Sequence, residues 1–245
     1  MTINISSKDN ERVKYTKSLL KSKNRQKESK FIIEGYRILT LAIECNADLD
    51  YVFINETFEN KEEHKNFLKV LEEKNIKILG VVRFKEKKIE HNIKNEDKFV
   101  LILDRIQDPG NMGTIIRTAD AAGVDAIIAL KGCVDIYNPK VIRSTMGSIF
   151  DMNIIHCTQE ECLRELKSKD FNIVSSYLNT DNYYHETDYG KKVALVIGNE
   201  ANGVNDELID ESDILVKIPI YGNAESLNAA ISSAILMYEI KKYLS

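Results

Sequence analysis

Residues Leu101 to Gly123 read LILDRIQDPGNMGTIIRTADAAG, and this stretch decides the fold. An apolar run is followed by Asp-Pro-Gly-Asn at 108–111, which predicts a turn, and then by an apolar pattern of helical period over 114–122. Arg117 falls in the first turns of that helix, where the helix dipole disfavours a cation that lacks an anionic partner. Asp120 can supply that partner, so the residues alone leave a structural ion pair and a functional arginine both open.

Apolar runs like the one that opens this stretch recur through the rest of the chain. Continuous apolar runs are typical of parallel strands that are buried on both faces and separated by helices. The sequence therefore predicts an α/β domain built on a parallel sheet. Its strands are predicted at 99–103, 126–130, 153–156, 172–176, 193–197 and 214–218, and its clearest helices at 114–122, 160–168 and 226–242.

A smaller α/β pattern precedes this domain. The polar stretch HNIKNEDK, from His91 to Lys98, has no apolar period and is interpreted as a linker. We therefore predict two domains, at 1–92 and 99–245, joined by a linker at 93–98. The elements of the first domain are predicted as helices at 11–28, 36–45 and 61–74 and as strands at 31–34, 51–54 and 76–79.

Charge is unevenly distributed along the 245 residues. The chain carries 34 Lys+Arg and 38 Asp+Glu, a net charge of −4, yet residues 1–30 hold nine basic and three acidic side chains. That segment is +6 and the remainder is −10. A basic segment can attract phosphates whatever the total charge, or it can be a solvated helix, and both interpretations stay open. Its candidate nucleic-acid contacts are Lys14, Lys21, Lys23, Arg25 and Lys27.

Composition excludes several classes of protein. With 43% apolar and 29% charged residues, the chain is neither disordered nor collagen-like. The four cysteines are scattered, without CxxC or metal-ligand spacing, which indicates free thiols in a reducing compartment and no metal site. The polar first 14 residues are unlike a signal peptide, and no apolar run approaches the ~20 residues of a membrane span. We expect a cytoplasmic protein that does not associate with membranes.

Two further segments place polar residues and glycines after predicted strands. The first, at 193–208, reads VALVIGNEANGVNDEL and brings Glu200 to a strand end, where its side chain can simply face solvent. The second, at 217–240, reads KIPIYGNAESLNAAISSAILMYEI, in which Ser226 can cap the last helix and Asn228 falls in its first turn. The chain contains no GxxxxGK[ST] and no GxG, which argues against a P-loop hydrolase, a dinucleotide-binding fold and the common methyltransferase fold.

Together, in this order and with this spacing, the three segments resemble the SpoU/TrmH branch of the SPOUT superfamily, the RNA ribose 2'-O-methyltransferases that use S-adenosylmethionine. The motifs that carry the resemblance are DPGNMGTIIRTADAAGVDAII, ALVIGNEANGV and IPIYGNAESLNAAISSAILMYE. They cover essentially the whole carboxyl-terminal domain. The amino-terminal part is similar to the family's RNA-substrate-binding domain, of the ribosomal-protein-like α/β type, through KFIIEGYRILTLAIE at 30–44.

The resemblance implies a deep trefoil knot in the carboxyl-terminal segment and a homodimer whose catalytic site lies near the subunit interface. It implies that Arg117 contacts the target ribose or phosphate and helps to remove the 2'-hydroxyl proton. The other candidate catalytic residues that it implies are Asn111, Glu200, Ser226 and Asn228, and the main-chain groups implied to hold the cofactor lie at Gly198, Ile218 and Leu227.

We therefore expect an enzyme that methylates a ribose 2'-hydroxyl in structured RNA. Ribosomal RNA is preferred to transfer RNA, because the resemblance includes a separate substrate-binding domain. Arginine normally stays protonated, which favours Arg117 as an electrostatic clamp and leaves a general-base role open. One alternative is a non-catalytic RNA-binding or ribosome-assembly protein on the same fold. The other is a methyltransferase or nucleotide-binding enzyme that acts on a small molecule, for which the basic segment would be superfluous.

Overall fold

The computed structural model describes residue 5 and residues 7–54 and 78–245. The helix predicted at 61–74 and the first residues of the strand predicted at 76–79 lie outside this part of the chain. The chain divides into two compact units. The first comprises Met1–Lys85 and Asp135–Phe150, and the second comprises Glu86–Val134 and Asp151–Ser245.

Helices and strands alternate along most of the described chain, as the sequence predicts. Within the residues that the structure describes, no helix combines the length and the apolar composition of a membrane span. In chain order the elements are α1 (Glu11–Ser18), α2 (Ser22–Glu28), β1 (Lys30–Glu34), α3 (Tyr36–Glu44), β2 (Leu49–Ile54), β3 (Ile78–Arg83), α4 (Ile89–Asn92), β4 (Phe99–Leu103), α5 (Pro109–Ala122), β5 (Ala126–Leu130), α6 (Pro139–Thr145), β6 (Ile154–Cys157), α7 (Gln159–Ser168), β7 (Asn172–Ser176), β8 (Val193–Ile197), α8 (Asp206–Asp210), β9 (Ile214–Val216) and α9 (Ala229–Leu244).

A three-stranded antiparallel sheet, in the order β1-β3-β2, forms the centre of the first unit. Phe31 and Ile33 of β1 are buried in one apolar cluster with Leu39 and Ala42 of α3. The apolar stripe of α3 therefore covers one face of the sheet, which explains why its helical pattern was visible in the sequence.

The single helix predicted at 11–28 is wrong, because the structure has two helices there, α1 and α2. The break is held by Arg25, whose Nη1 donates to the carbonyl oxygens of Leu19 and Leu20 at 2.8 and 2.9 Å. Its Nε and Nη2 donate to Asp135 at 3.0 and 2.7 Å. Arg25 is 2% exposed, and all three nitrogens of its guanidinium donate these hydrogen bonds. Its nomination as a nucleic-acid contact is therefore corrected to a structural role.

Residues 135–150 belong to the first unit although they follow β5 of the second. The ring of Tyr137 stacks on Phe31 and Phe84, with ring centroids 4.8 and 4.0 Å apart. Ile142 of α6 lies in the same apolar cluster as Phe31. The predicted domains are continuous stretches of chain. The compact units are not continuous, because residues 135–150 pack on the aromatic residues of the first unit.

The second unit is built on a six-stranded parallel sheet in the order β6-β5-β4-β8-β7-β9. This confirms the predicted α/β class. β4, β5 and β8 are buried along their whole length, which is why they read as continuous apolar runs. β6 starts one residue later than predicted, and β9 ends two residues earlier. The central neighbours are β4 and β8, and ligands of such sheets bind outside the carboxyl ends of the strands where the strand order reverses.

Candidate active site

The turn predicted at 108–111 is wrong, since α5 already begins at Pro109. Asp108 is the N-cap: its Oδ1 accepts the Asn111 N–H at 2.8 Å, and Pro109 has no N–H to satisfy. Arg117 is therefore the ninth residue of the helix, well inside it. In the described part of the chain it is exposed and makes no ion pair with Asp120, so the structural ion pair considered for it is absent.

Glu200 lies in the segment that follows β8, residues 198–205, which we call the β8 loop. Its carboxylate accepts hydrogen bonds from the Gln107 N–H at 3.2 Å, the Asp108 N–H at 3.1 Å and Nδ2 of Asn111 at 3.1 Å. Partial burial raises the pKa of Glu200, but these donors lower it by more, so its pKa lies below the ordinary value. At neutral pH Glu200 is thus an anion that holds the β8 loop against the start of α5.

Asn228 joins the third motif to the same place. Its Nδ2 donates to Oδ1 of Asn111 at 3.0 Å, and its own Oδ1 accepts the N–H groups of Ala230 and Ile231 at 2.9 and 3.3 Å. Asn228 is therefore the N-cap of α9, and the cap predicted at Ser226 is wrong. Glu200, Asn111 and Asn228 form one hydrogen-bonded series, which we call the motif chain, and it connects the three sequence motifs.

A cavity of about 400 Å³ opens where β7, β8 and β9 end. Its wall contains the predicted cofactor residues Gly198, Ile218 and Leu227, together with Glu200 and Ser226. Arg117 is not among its described lining residues. Apolar and polar residues are both well represented in this wall, and its volume lies in the range of small-molecule sites. The arrangement suits a small ligand that has both apolar and polar parts.

The β8 loop requires a glycine at position 198, where β8 ends. A Cβ atom at this position would overlap the backbone of Gly203 and Val204, closer than real Cβ atoms approach other atoms. The loop also closes on itself through two Asn199–Gly203 backbone hydrogen bonds of 2.9 Å. Any side chain at Gly198 must therefore displace the wall of the cavity.

The sequence does not identify three polar residues at this site, of which Asn199 lines the cavity and Asp104 and Arg105 lie beside it. Asp104 and Arg105 follow β4 directly, and Asn199 follows Gly198; Asp104 is 2% and Asn199 is 9% exposed. Oδ1 of Asn199 accepts the N–H groups of Ala201 and Asn202, both at 3.0 Å, which fixes the bend of the β8 loop. The available signal was a polar residue immediately after a buried strand, since a buried polar group needs partners.

The lysines nominated as nucleic-acid contacts lie on the surface of the first unit. Lys14 pairs with Asp9 at 3.0 Å, and Lys27 lies 3.9 Å from Glu28. Lys21 and Lys23 are exposed and form no ion pair within the residues that the structure describes. Their role stays a prediction, and their side chains are available for it.

Comparison with known proteins identifies a family for each of the two parts of the chain. Residues 98–238 match the model of the SpoU rRNA Methylase family, and residues 10–90 match the model of the MRM3-like substrate binding domain. A relative from Bacillus subtilis, the 23S rRNA (guanosine(2553)-2'-O)-methyltransferase RlmP, is 32% identical over 97% of this chain and 98% of its own.

Two solved structures resemble the chain over almost its whole length. The AdoMet-bound rRNA methyltransferase from Sinorhizobium meliloti is 28% identical, with a TM-score of 0.86 and coverage of 98% of both chains. The SpoU methyltransferase AviRb from Streptomyces viridochromogenes, in complex with AdoMet, is 26% identical, with a TM-score of 0.84 over 95% of this chain and 97% of its own.

Proposed function

The chain belongs to the SpoU rRNA methylase family, and we propose that it transfers a methyl group from S-adenosylmethionine to a ribose 2'-hydroxyl of ribosomal RNA, with transfer RNA as second choice. The observation that carries this proposal is the motif chain, in which Glu200, Asn111 and Asn228 link the three family motifs beside one cavity. A non-catalytic RNA-binding or assembly protein would have no need to keep this series intact.

The cavity fits the cofactor that the two similar structures contain. Gly198 allows the β8 loop to fold back on itself in the cavity wall, and Ile218 and Leu227 line the same cavity. We propose that these three residues bind S-adenosylmethionine. When bound, the sulfonium supplies an electrophilic methyl group, so the protein itself needs neither a nucleophile nor a metal.

The motif chain and Arg117 have different parts in this mechanism. The carboxylate oxygens of Glu200 and the side-chain nitrogen and oxygen of Asn111 all form hydrogen bonds within the protein. We therefore propose that Glu200 and Asn111 position the β8 loop and α5. Arg117 is exposed, and its side chain has no hydrogen bond or ion pair within the described chain. Since arginine stays protonated, we assign Arg117 to a target phosphate or to the developing alkoxide, as an electrostatic clamp. Ser226, at the cavity wall, is assigned to orient the ribose.

We further propose a homodimer that completes the site. Ile231 and Tyr238 of α9 are 52% and 55% exposed, and large exposed apolar side chains on one helix are typical of an interface. Arg117 lies outside the cavity lining described for its own subunit, which favours action on the cofactor of a partner subunit. These observations support an active site shared between two copies of the chain.

The trefoil knot and the cellular compartment are part of the same proposal. The knot is supported by the path of the segment after β9, because residues 216–218 and 226–227 line the same cavity as the β8 loop. We place the enzyme in the cytoplasm, since its four cysteines are free thiols. Lys14, Lys21, Lys23 and Lys27 of the first unit are assigned to bind RNA phosphates.

The decisive experiment maps 2'-O-methylation of ribosomal and transfer RNA in cells with and without the gene. We expect one ribosomal mark to disappear and to return when ribosomal RNA from the deletion strain is incubated with the purified protein and S-adenosylmethionine. Loss of a transfer RNA mark would show that transfer RNA, and not ribosomal RNA, is the substrate. An unchanged methylation map would favour the non-catalytic alternative.

A further inference from the structure

Asp104 and Arg105 fasten the β8 loop at three points. Asp104 accepts the Asn205 N–H at 2.9 Å, at the far end of the loop. Arg105 contributes the other two: its carbonyl oxygen accepts Nδ2 of Asn199 at 2.8 Å, and its Nη2 donates to the carbonyl oxygen of Gly203 at 3.3 Å. The start, middle and end of the loop are thus each bonded to these two neighbouring residues.

The two side chains also bind each other. Nε and Nη2 of Arg105 donate to the two carboxylate oxygens of Asp104, both at 2.8 Å, in the two-bond geometry that makes such pairs strong and directional. Asp104 is 2% exposed, and a carboxylate so deeply buried needs hydrogen-bond donors such as these. The pair is therefore a rigid unit, fixed at the end of β4 in the centre of the sheet.

The backbone of Arg105 supports a functional interpretation of this pair. Its φ is 56°, in the left-handed region that a side chain other than glycine adopts at a cost. The residue that adopts this conformation forms hydrogen bonds to the β8 loop with both its carbonyl oxygen and its side chain. Neither Asp104 nor Arg105 lines the cavity, whereas residues 197–204 form a continuous part of its wall.

We propose that Asp104 and Arg105 are positioning residues that give the β8 loop its cofactor-binding shape without touching the cofactor. This inference rests on the proposed function and adds two residues to it. A loop held at three points is already in its bound shape, so binding does not have to order it. Loosening the pair should therefore weaken cofactor binding more than it slows methyl transfer at saturating cofactor.

The test compares Asp104→Asn and Arg105→Lys with a matched control, Asp125→Asn. Asp125 also bonds a carboxylate to backbone N–H groups, those of Lys98 and Phe99 at 2.8 and 2.9 Å, but at the amino end of β4, away from the cavity. The measurements are the Kd of S-adenosylmethionine and of S-adenosylhomocysteine by calorimetry, the Tm, and KM and kcat for methylation of ribosomal RNA.

We expect Asp104→Asn and Arg105→Lys to raise both Kd values by about tenfold or more and to keep kcat at saturating cofactor within about twofold. Asp125→Asn should lower Tm without changing Kd. If the two variants lower Tm like the control but bind both ligands normally, the pair is only structural and the inference is overturned. Arg105→Lys retains the charge beside Asp104, so it decides the question if Asp104→Asn does not fold. Failure of the wild-type protein to bind S-adenosylmethionine would instead contradict the proposed function itself.

Discussion

Asn111 and Asn228 are 117 residues apart in sequence and share a side-chain hydrogen bond of 3.0 Å. An amide side chain can donate at one end and accept at the other, and Asn111 uses both ends, since its Nδ2 donates to Glu200 at 3.1 Å. Glu200 in turn accepts two N–H groups at the start of α5. The first, second and third motifs are therefore connected through a single residue, which makes Asn111 the most informative position for mutation.

Asn111→Asp should make activity depend on pH in a new way. The change removes the donor to Glu200 and puts two carboxylates within hydrogen-bond distance, which raises the pKa of one of them. As the pH falls, the pair takes up a proton and the bond is restored. We expect a turnover about tenfold below wild type at pH 8 and a partial recovery relative to wild type at pH 6. Asn111→Ala cannot take up a proton, so its loss should be equal at both pH values; the same behaviour in Asn111→Asp would contradict the argument.

Gly198→Ala should abolish cofactor binding. The added methyl group overlaps the backbone of Gly203 and Val204, so the β8 loop has to move out of the cavity wall. We expect the protein to lose about 1–3 kcal/mol of stability, as for other overpacked sites, and to show no heat of binding with S-adenosylmethionine. Gly222→Ala is the control, because no atom lies within 4 Å of a Cβ at that position. Normal binding by Gly198→Ala would remove the β8 loop from the cofactor site.

Lys23→Ala and Arg25→Ala should separate RNA contact from structure within α2. Lys23 is exposed and unpaired within the described chain, so its removal should weaken RNA binding and reduce the slope of log K against log salt by about one, with Tm unchanged. Arg25 is buried against Asp135, and its removal takes the cationic partner from that carboxylate, at a cost of about 3–5 kcal/mol. Thermal unfolding and salt-dependent binding measure the two effects. An unchanged salt slope in Lys23→Ala would exclude that lysine from the RNA interface.

The sheet of the second unit was predictable because a strand that is buried on both faces is apolar along its length. β4, β5 and β8 have the predicted bounds, since strands covered on both faces need unbroken apolar runs. β7 also has the predicted bounds, although only Ile173 and Val174 of its residues are apolar. Helix starts were less predictable. At Pro109 and Ala229 the capping side chains, Asp108 and Asn228, stand among other polar residues, and only the hydrogen bonds to the backbone identify which one caps.

The remaining features depend on contacts between distant residues. Arg25 looks like its lysine neighbours in sequence, and it is buried only because Asp135 meets it 110 residues later. Residues 135–150 join the first unit through the rings of Phe31, Phe84 and Tyr137. Within the site, Asp104 and Asn199 likewise form hydrogen bonds with residues that lie on another loop. No local pattern records such pairs.

Arg117→Ala should affect chemistry and leave cofactor binding unchanged. Arg117 is exposed and lies outside the described cavity wall, so the Kd of S-adenosylmethionine should equal that of the wild type. Removing one electrostatic donor to a developing charge lowers turnover by about 100-fold or more. Arg117→Lys keeps the charge and should recover part of the loss. A changed cofactor Kd with normal turnover would remove Arg117 from the mechanism.

Mixed dimers should show in which cavity Arg117 acts. Leu227 lines the cavity, so Leu227→Trp fills it and inactivates a subunit that still carries Arg117. Each variant alone should be inactive. If Arg117 acts on the cofactor of the partner, a dimer of Arg117→Ala with Leu227→Trp has one complete site, formed by the open cavity of one chain and the arginine of the other. Random mixing of equal amounts then restores about one quarter of wild-type activity, because half of the dimers are mixed and each has one working site. No recovery, with mixed dimers verified by mass spectrometry of the intact complex, would place Arg117 in the site of its own subunit.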